Sequence, residues 1–370
     1  MSPIPLVDLR AQHRQISDEV AQSMSQVIEE AAFILGRAVF EFEHAFAAFS
    51  NVRRCVGVGN GTDAIELAVR AAGIGPGAEV IVPANTFIAT ALGVHRAGAI
   101  PVLVDCDPVF HLIDPADVAR KITPRTKAVF PVHLYGQVAP MEAIADLVRD
   151  SGIVMLEDAA QAQGAKRNGV GAGGFGLASA TSFYPGKNLG GYGDAGAVLT
   201  NDDGIAKKIV ALRNYGSDVK YHHPETGFNS RLDTLQAVVL LAKLKHLARW
   251  NQQRRVAARR YDELLATVPA VTRPATLAGN EHVWHLYVVR VPKRDEVCKK
   301  LNAAGIGVGI HYPVPIHLQG AFTHLGGKRG DFPIAEKAAD EILSLPLFAE
   351  ITETQQLQVV DALKEAVGAR

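Results

Sequence analysis

The 370-residue chain reads as an α/β protein, a mainly parallel mixed sheet flanked by helices and followed by a smaller α+β unit. Three observations carry that expectation. Between about residues 54 and 200, short apolar runs alternate with amphipathic stretches of helical period. Those runs are apolar at consecutive positions, as strands covered on both faces require. Beyond about residue 270 the rhythm breaks into isolated strand and helix patterns.

In chain order, helices are expected at about 16–31 and 37–49, packing with the smaller unit or with a partner subunit. Strands follow at 55–58, 80–83, 101–104, 128–131, 153–156, 178–183 and 196–200. Amphipathic helices near 62–73, 88–97, 114–121 and 140–150 separate the first five, so the chain crosses between parallel strands. Helices are expected at 203–213 and 233–266, the second bending near Trp250-Asn251. A strand at 284–291, a helix at 294–303, a short run near 307–312 and helices near 333–342 and 352–367 complete the chain. This divides the protein into a large unit over 1–250 and a small one over 251–370.

Lys+Arg and Asp+Glu both number 38, and the zero formal charge gives no support for a nucleic-acid or acidic-membrane partner. Cys55, Cys106 and Cys298 are odd in number and far apart, which suggests neither a disulfide framework nor a zinc site. The start of the chain lacks a basic segment followed by an apolar core, and no uncharged run reaches the ~18 residues of a membrane helix. A soluble, cytoplasmic protein is expected.

Candidate chemistry gathers where strands end, the place at which open α/β sheets bind ligands. The run Ile153-Val154-Met155-Leu156 ends in Glu157-Asp158, and Lys187 follows another strand in Ser182-Phe183-Tyr184-Pro185-Gly186-Lys187-Asn188. An amine and a carboxylate so placed are what pyridoxal phosphate requires. The amine forms a Schiff base, and the carboxylate keeps the ring nitrogen protonated so that the ring accepts electrons. Gly57-Val58-Gly59-Asn60-Gly61-Thr62-Asp63-Ala64 closes a strand and opens a helix, which suits either tight-turn packing or a phosphate. Ser182 offers a second hydroxyl for a phosphate. Phe87 is either a core aromatic or a flat face for a cofactor ring. Gln161, three residues after Asp158, shares a side with it if the chain turns helically there.

Other patterns are weaker. Gly171-Ala172-Gly173-Gly174-Phe175-Gly176 matches a dinucleotide fingerprint but precedes a strand instead of linking strand to helix. Pro185-Gly186-Lys187-Asn188 resembles the end of a nucleotide-binding loop, yet Thr181 stands where its first glycine belongs and Asn188 where its hydroxyl belongs. None of the 13 histidines has metal-ligand spacing, so no metal is expected. His311, in Gly309-Ile310-His311-Tyr312-Pro313, is a surface or core residue or a substrate contact. Arg254-Arg255 and Arg259-Arg260, with Asp262 and Glu263 nearby, are expected to form a solvated, ion-paired face.

Taken together, these strings resemble the DegT/StrS family of nucleotide-sugar aminotransferases, enzymes of pyridoxal-phosphate fold type I. The resemblance runs nearly end to end. It spans Pro5-Leu6-Val7-Asp8-Leu9, Ile34-Leu35-Gly36, Asn60-Gly61-Thr62-Asp63-Ala64, Thr86-Phe87-Ile88-Ala89-Thr90, Val132-His133-Leu134-Tyr135-Gly136 and Glu157-Asp158-Ala159-Ala160-Gln161. The Lys187 string extended to Leu189-Gly190, Gly227-Phe228-Asn229-Ser230-Arg231-Leu232-Asp233, His311-Tyr312-Pro313 and Ser344-Leu345-Pro346-Leu347 complete it. It departs at Arg37-Ala38-Val39, where relatives often have Pro-Glu-Val, a position remote from the chemistry.

The resemblance implies that Lys187 is the Schiff-base lysine and that Asp158 partners the ring nitrogen. Gly61, Thr62 and Ser182 would hold the phosphate, Phe87 would stack on the ring, and Gln161 would contact its hydroxyl. Asn229 would reach the cofactor of a neighbouring subunit, making a homodimer with shared sites. Lys220, Tyr221, His222, Arg231 and His311 are the candidate substrate contacts. Some related sugar dehydratases have histidine in place of the lysine, so Lys187 favours amino transfer. The implied reaction moves an amino group from L-glutamate to a keto sugar carried on a nucleoside diphosphate. The strings around Lys187 and Asn229, with Gln161, resemble members acting at carbon 3. Carbon 4 and a non-catalytic cofactor-binding sensor are the alternatives.

Overall fold

The apolar runs pair into one seven-stranded sheet because each hides side chains on both faces. The structure, a computed structural model, describes residues 3–368. The sheet strands are β1 (Arg54–Val58), β2 (Glu79–Pro83), β3 (Ile100–Val104), β4 (Thr126–Val129), β5 (Val154–Asp158), β8 (Ala178–Ser182) and β9 (Gly196–Thr200). Between β5 and β8 lie two-residue strands β6 (Lys166–Arg167) and β7 (Val170–Gly171). The sheet order is β1-β9-β8-β5-β4-β2-β3. Every neighbouring pair is parallel except those involving β9, which runs against both β1 and β8. All seven expected strands are present, with ends shifted by no more than two residues.

Helices α4 (Gly61–Ala71), α5 (Ile88–Arg96), α6 (Pro115–Lys121) and α7 (Met141–Val148) are the crossovers expected from the sequence. They follow α1 (Leu9–Arg14), α2 (Ser17–Glu29) and α3 (Arg37–Phe49). After β9 come α8 (Asp203–Leu212) and the 31-residue α9 (Thr234–Leu264), which runs through Trp250 and Asn251 without a break where a bend was expected. Both α2 and α3 pack against α9, and α3 also meets β1, so these helices belong with the large sheet. The short α1 escaped the sequence reading; the Asp8 side chain caps it by accepting from the Ala11 amide at 2.9 Å.

In the remaining chain, β10 (Asn280–Glu281) pairs with β6, while β11 (Tyr287–Arg290) pairs antiparallel with β12 (Ile342–Leu345). Around that antiparallel pair stand α10 (Arg294–Ala303), α11 (Pro333–Glu341) and α12 (Glu353–Val367). A separate core forms there from Tyr261, Tyr287, Val289, Leu301, Leu343 and Val359. Two expectations need correction. The strand expected from 284 starts only at Tyr287, because Trp284 takes a left-handed φ of 49°. The run near 307–312 makes only an isolated bridge, Gly309 to Ser344, and forms no strand.

Candidate active site

The carboxyl ends of β2, β4, β5 and β8 and the start of α4 converge on a cavity of about 720 Å³. Asp158 is the last residue of β5 and is 5% exposed, facing this cavity. Its carboxylate is aimed by two donors, the Thr90 hydroxyl at 2.7 Å and the Ala160 amide at 3.1 Å. Thr90 sits on α5, one turn from Thr86, whose hydroxyl is 3.0 Å away. Helical spacing therefore delivers the group that orients Asp158.

Lys187 enters from the loop after β8, in partial contact with the open space. Surrounding protein still strips enough water from its amine to pull it down to about 8, opposed by the charge of Asp158. Both groups line the one cavity. An amine so tuned is a nucleophile and a proton carrier near neutral pH.

Beside them, α4 begins. Asn60 caps it by accepting from the Asp63 amide at 2.8 Å, while the Gly61 and Thr62 amides have no partner among the described residues. Bare amides at the start of an 11-residue helix attract an anion. Ser182 closes the same corner: a methyl group on Gly61 would lie 2.5 Å from the Ser182 Cβ. The crowding reserves that corner for backbone and hydroxyl groups. Gly61→Ala is expected to weaken retention of a phosphate-bearing ligand there by about tenfold or more, from overpacking. Titration of the cofactor followed by absorbance checks this, and unchanged affinity would contradict it.

Phe87, at the mouth of the cavity and 50% exposed, packs at 5.1 Å and 36° against the Tyr312 ring. Gln161 is buried, accepting from the Tyr135 amide at 2.6 Å and donating to the Tyr312 hydroxyl at 3.0 Å. Burial, then the charge of Asp158, pushes that phenol above its usual range. His311 also lines the cavity, its Nδ1 2.8 Å from the Ser344 hydroxyl, and burial with the Lys187 charge lowers it to about 4. The cavity thus holds Lys187, Asp158, Gly61, Thr62, Phe87, Gln161, Ser182 and His311 together.

Four of the expected substrate contacts and Asn229 stand elsewhere in the monomer. Lys220, Tyr221 and His222 are exposed and do not line the cavity of their own chain. Arg231 donates to Asn214 at 3.0 Å and lies over the Tyr215 ring. Asn229 is exposed on a loop that buried Ser230 pins to Asp63 at 2.8 Å and to the Gly59 amide at 3.1 Å.

The glycine-rich 171–176 segment has a structural purpose. The Gly173, Phe175 and Gly176 amides donate to the fully buried carboxylate of Glu157, at 2.7 to 2.9 Å. His133 Nδ1 accepts from the Ala139 amide, so Nε2 carries the proton given to Glu157 at 2.9 Å. This anchors β5 beside Asp158. Arg254 corrects another expectation: it is 4% exposed and donates to the carbonyls of Trp284, His285 and Leu347. Its burial was illegible because paired arginines on a helix look like a wet face.

The donor set suits pyridoxal phosphate. Helix amides without a partner among the described residues stand beside the Thr62 and Ser182 hydroxyls as a phosphate would require, an amine and an oriented carboxylate share the cavity, and an aromatic face stands at its mouth. The DegT/DnrJ/EryC1/StrS aminotransferase family matches residues 14–364. The chain is 49% identical to a "Pleiotropic regulatory protein" of Geobacillus stearothermophilus, over 98% of both chains. It is 44% identical to a dTDP-3-amino-3,4,6-trideoxy-alpha-D-glucose transaminase of Streptomyces venezuelae, over 98% of this chain and 96% of that one. It superimposes on the crystal structure of S. venezuelae DesV in complex with a ketimine intermediate, with TM-score 0.97, 43% identity and full coverage of both chains.

Proposed function

The chain belongs to the DegT/DnrJ/EryC1/StrS aminotransferase family, and from that premise we propose that it aminates carbon 3 of a keto sugar held on a nucleoside diphosphate, with L-glutamate as donor. The protein is a pyridoxal-phosphate-dependent enzyme of fold type I. The observation that carries the reading is the aimed Asp158 carboxylate facing a Lys187 amine of depressed basicity in one cavity.

In this reading the Gly61 and Thr62 amides and the Thr62 and Ser182 hydroxyls hold the phosphate, and Phe87 covers the ring. Gln161 meets the ring hydroxyl. Asp158 keeps the ring nitrogen protonated, with Thr90 and Ala160 fixing its direction. The cofactor, when bound, supplies the electron sink for the carbon losing its proton and carries the amino group between the two halves of the reaction. Lys187 anchors it. Once displaced, Lys187 Nζ removes the proton from the donor α-carbon and, in the other half, delivers one to the sugar carbon.

The exposed Asn229, next to Ser230, completes the site of a second subunit, so the enzyme works as a homodimer. The same dimer brings Lys220, Tyr221, His222 and Arg231 toward the sugar nucleotide, with His311 from the cavity's own chain. The two cores support a division near residue 250, within α9. No helix among the described residues is long and apolar enough to cross a membrane.

The similarity to a named regulatory protein favours a second reading, a cofactor-binding sensor without turnover. One assay separates the readings. The enzyme is given L-glutamate and a panel of 3-keto and 4-keto sugars on thymidine, uridine and guanosine diphosphates, with products identified by mass and NMR. The proposal expects a 3-amino sugar nucleotide and loss of the cofactor's visible band on adding glutamate. A 4-amino product would move the site of amination, and a band indifferent to every amino donor would favour the sensor.

A further inference from the structure

Two linked side-chain amides behind the cavity, Asn251 and Asn188, lead to an imidazole that lines the cavity with Lys187. Asn251 Nδ2 donates to the main-chain carbonyl of Gln163 at 2.9 Å. A carbonyl only accepts, so the Asn251 amide cannot be flipped, and its Oδ1 is left to accept from Asn188 at 2.9 Å. Asn188 Nδ2 also donates to the Val283 carbonyl at 3.0 Å, which fixes that amide in turn. Its Oδ1 therefore faces His285 Nδ1, 3.1 Å away, as an acceptor.

The consequence is chemical. His285 must carry its proton on Nδ1, and that bond to Asn188 is the one hydrogen bond of the ring among the described residues, leaving Nε2 uncommitted. The imidazole is 8% exposed and lines the same cavity as Lys187, Asp158 and His311. Burial, then the charges of Lys187 and Arg254, hold it well below its usual basicity, so it remains neutral. His311, His282 and Asp158 complete the titratable groups nearby. A neutral ring with a fixed proton offers one lone pair in one direction.

We infer that His285 is a positioning residue for the reactive lysine, its Nε2 accepting a hydrogen bond from the freed Lys187 amine and turning that amine's lone pair toward the substrate carbon. This rests on Lys187 being the reactive amine, and on nothing about the sugar. Asn188 and Asn251 act through His285, which explains two buried amides behind the Lys187 loop.

The test is imidazole nitrogen NMR of the full-length protein labelled at histidine, with His285 assigned by comparison with His285→Gln. Loaded with pyridoxal phosphate, His285 should show a protonated Nδ1 and a bare Nε2. Loaded instead with pyridoxamine phosphate, which leaves the lysine free, the Nε2 signal should move toward that of a hydrogen-bonded acceptor. A proton found on Nε2, or an Nε2 signal that ignores the change, overturns the inference. In kinetics of the amino-donor half-reaction, His285→Leu should slow the rate at saturation by about tenfold or more with little change in KM, as expected for misplacing a proton carrier. His285→Gln, which can donate to Asn188 and accept from Lys187, should restore most of the rate. Equal saturated rates for His285→Leu and the natural chain would also overturn it. If the leucine variant does not fold, the NMR of the unsubstituted chain still decides. A failed sugar assay with the expected nitrogen signals would count against the substrate reading alone.

Discussion

Lys187→Ala is expected to abolish amino transfer, lowering the single-turnover rate with L-glutamate by more than about 10⁴-fold, the upper range for a positioned proton-moving group. The substitution removes both the covalent anchor and the base. It leaves the Gly61, Thr62 and Ser182 corner, Asp158 and Phe87 untouched, so the fold should persist with residual non-covalent cofactor binding. Circular dichroism and equilibrium dialysis of the cofactor check those two points. The amine is lowered from its ordinary 10.5 to about 8 by burial, so in the natural chain its neutral form becomes substantial near pH 8. A free amine exposed to water would stay protonated there. Turnover in Lys187→Ala comparable to that of the natural enzyme would remove the proposed mechanism.

Asp158→Asn should be the second most damaging change, costing at least about 10²-fold in turnover, the scale of a preorganised electrostatic partner. The substitution keeps size and one acceptor oxygen, so either the Thr90 or the Ala160 contact can survive. What disappears is the negative charge that holds a ring nitrogen protonated. The loss should appear mainly in kcat, because phosphate contacts far from Asp158 retain the cofactor. Steady-state kinetics with cofactor occupancy measured in parallel checks this. A loss entirely explained by lower occupancy would assign Asp158 to binding alone.

Much of this site was legible because its groups terminate elements whose periodicity is strong. Asp158 ends β5, Lys187 follows β8, and Gly61 with Thr62 opens α4, so each is marked by a change from apolar run to polar or glycine-rich chain. The sheet was legible for the same reason: both of its faces are covered. Strands β6, β7 and β10 have two residues each, too few for any period to register. Strand β12 hid because Ile342 follows α11 directly, with no glycine or proline between the helix and the extended chain. No role for Tyr312, Thr90 or His285 is legible locally, although the first two stand in strings that carry the resemblance. Their importance comes from contacts with Gln161, Asp158 and Asn188, which are distant in sequence. The glycine pattern at 171–176 is not a dinucleotide loop, as its place before a strand implies, and its amides serve an internal carboxylate as readily as others serve a bound phosphate.

The most direct measurement is borohydride reduction of the pyridoxal-phosphate-loaded protein, followed by proteolysis and mass spectrometry of the modified peptide. The account predicts one cofactor per chain, fixed to Lys187, with labelling prevented in Lys187→Ala. Stable attachment to any other lysine, or none at all under conditions where the visible band is present, would contradict it.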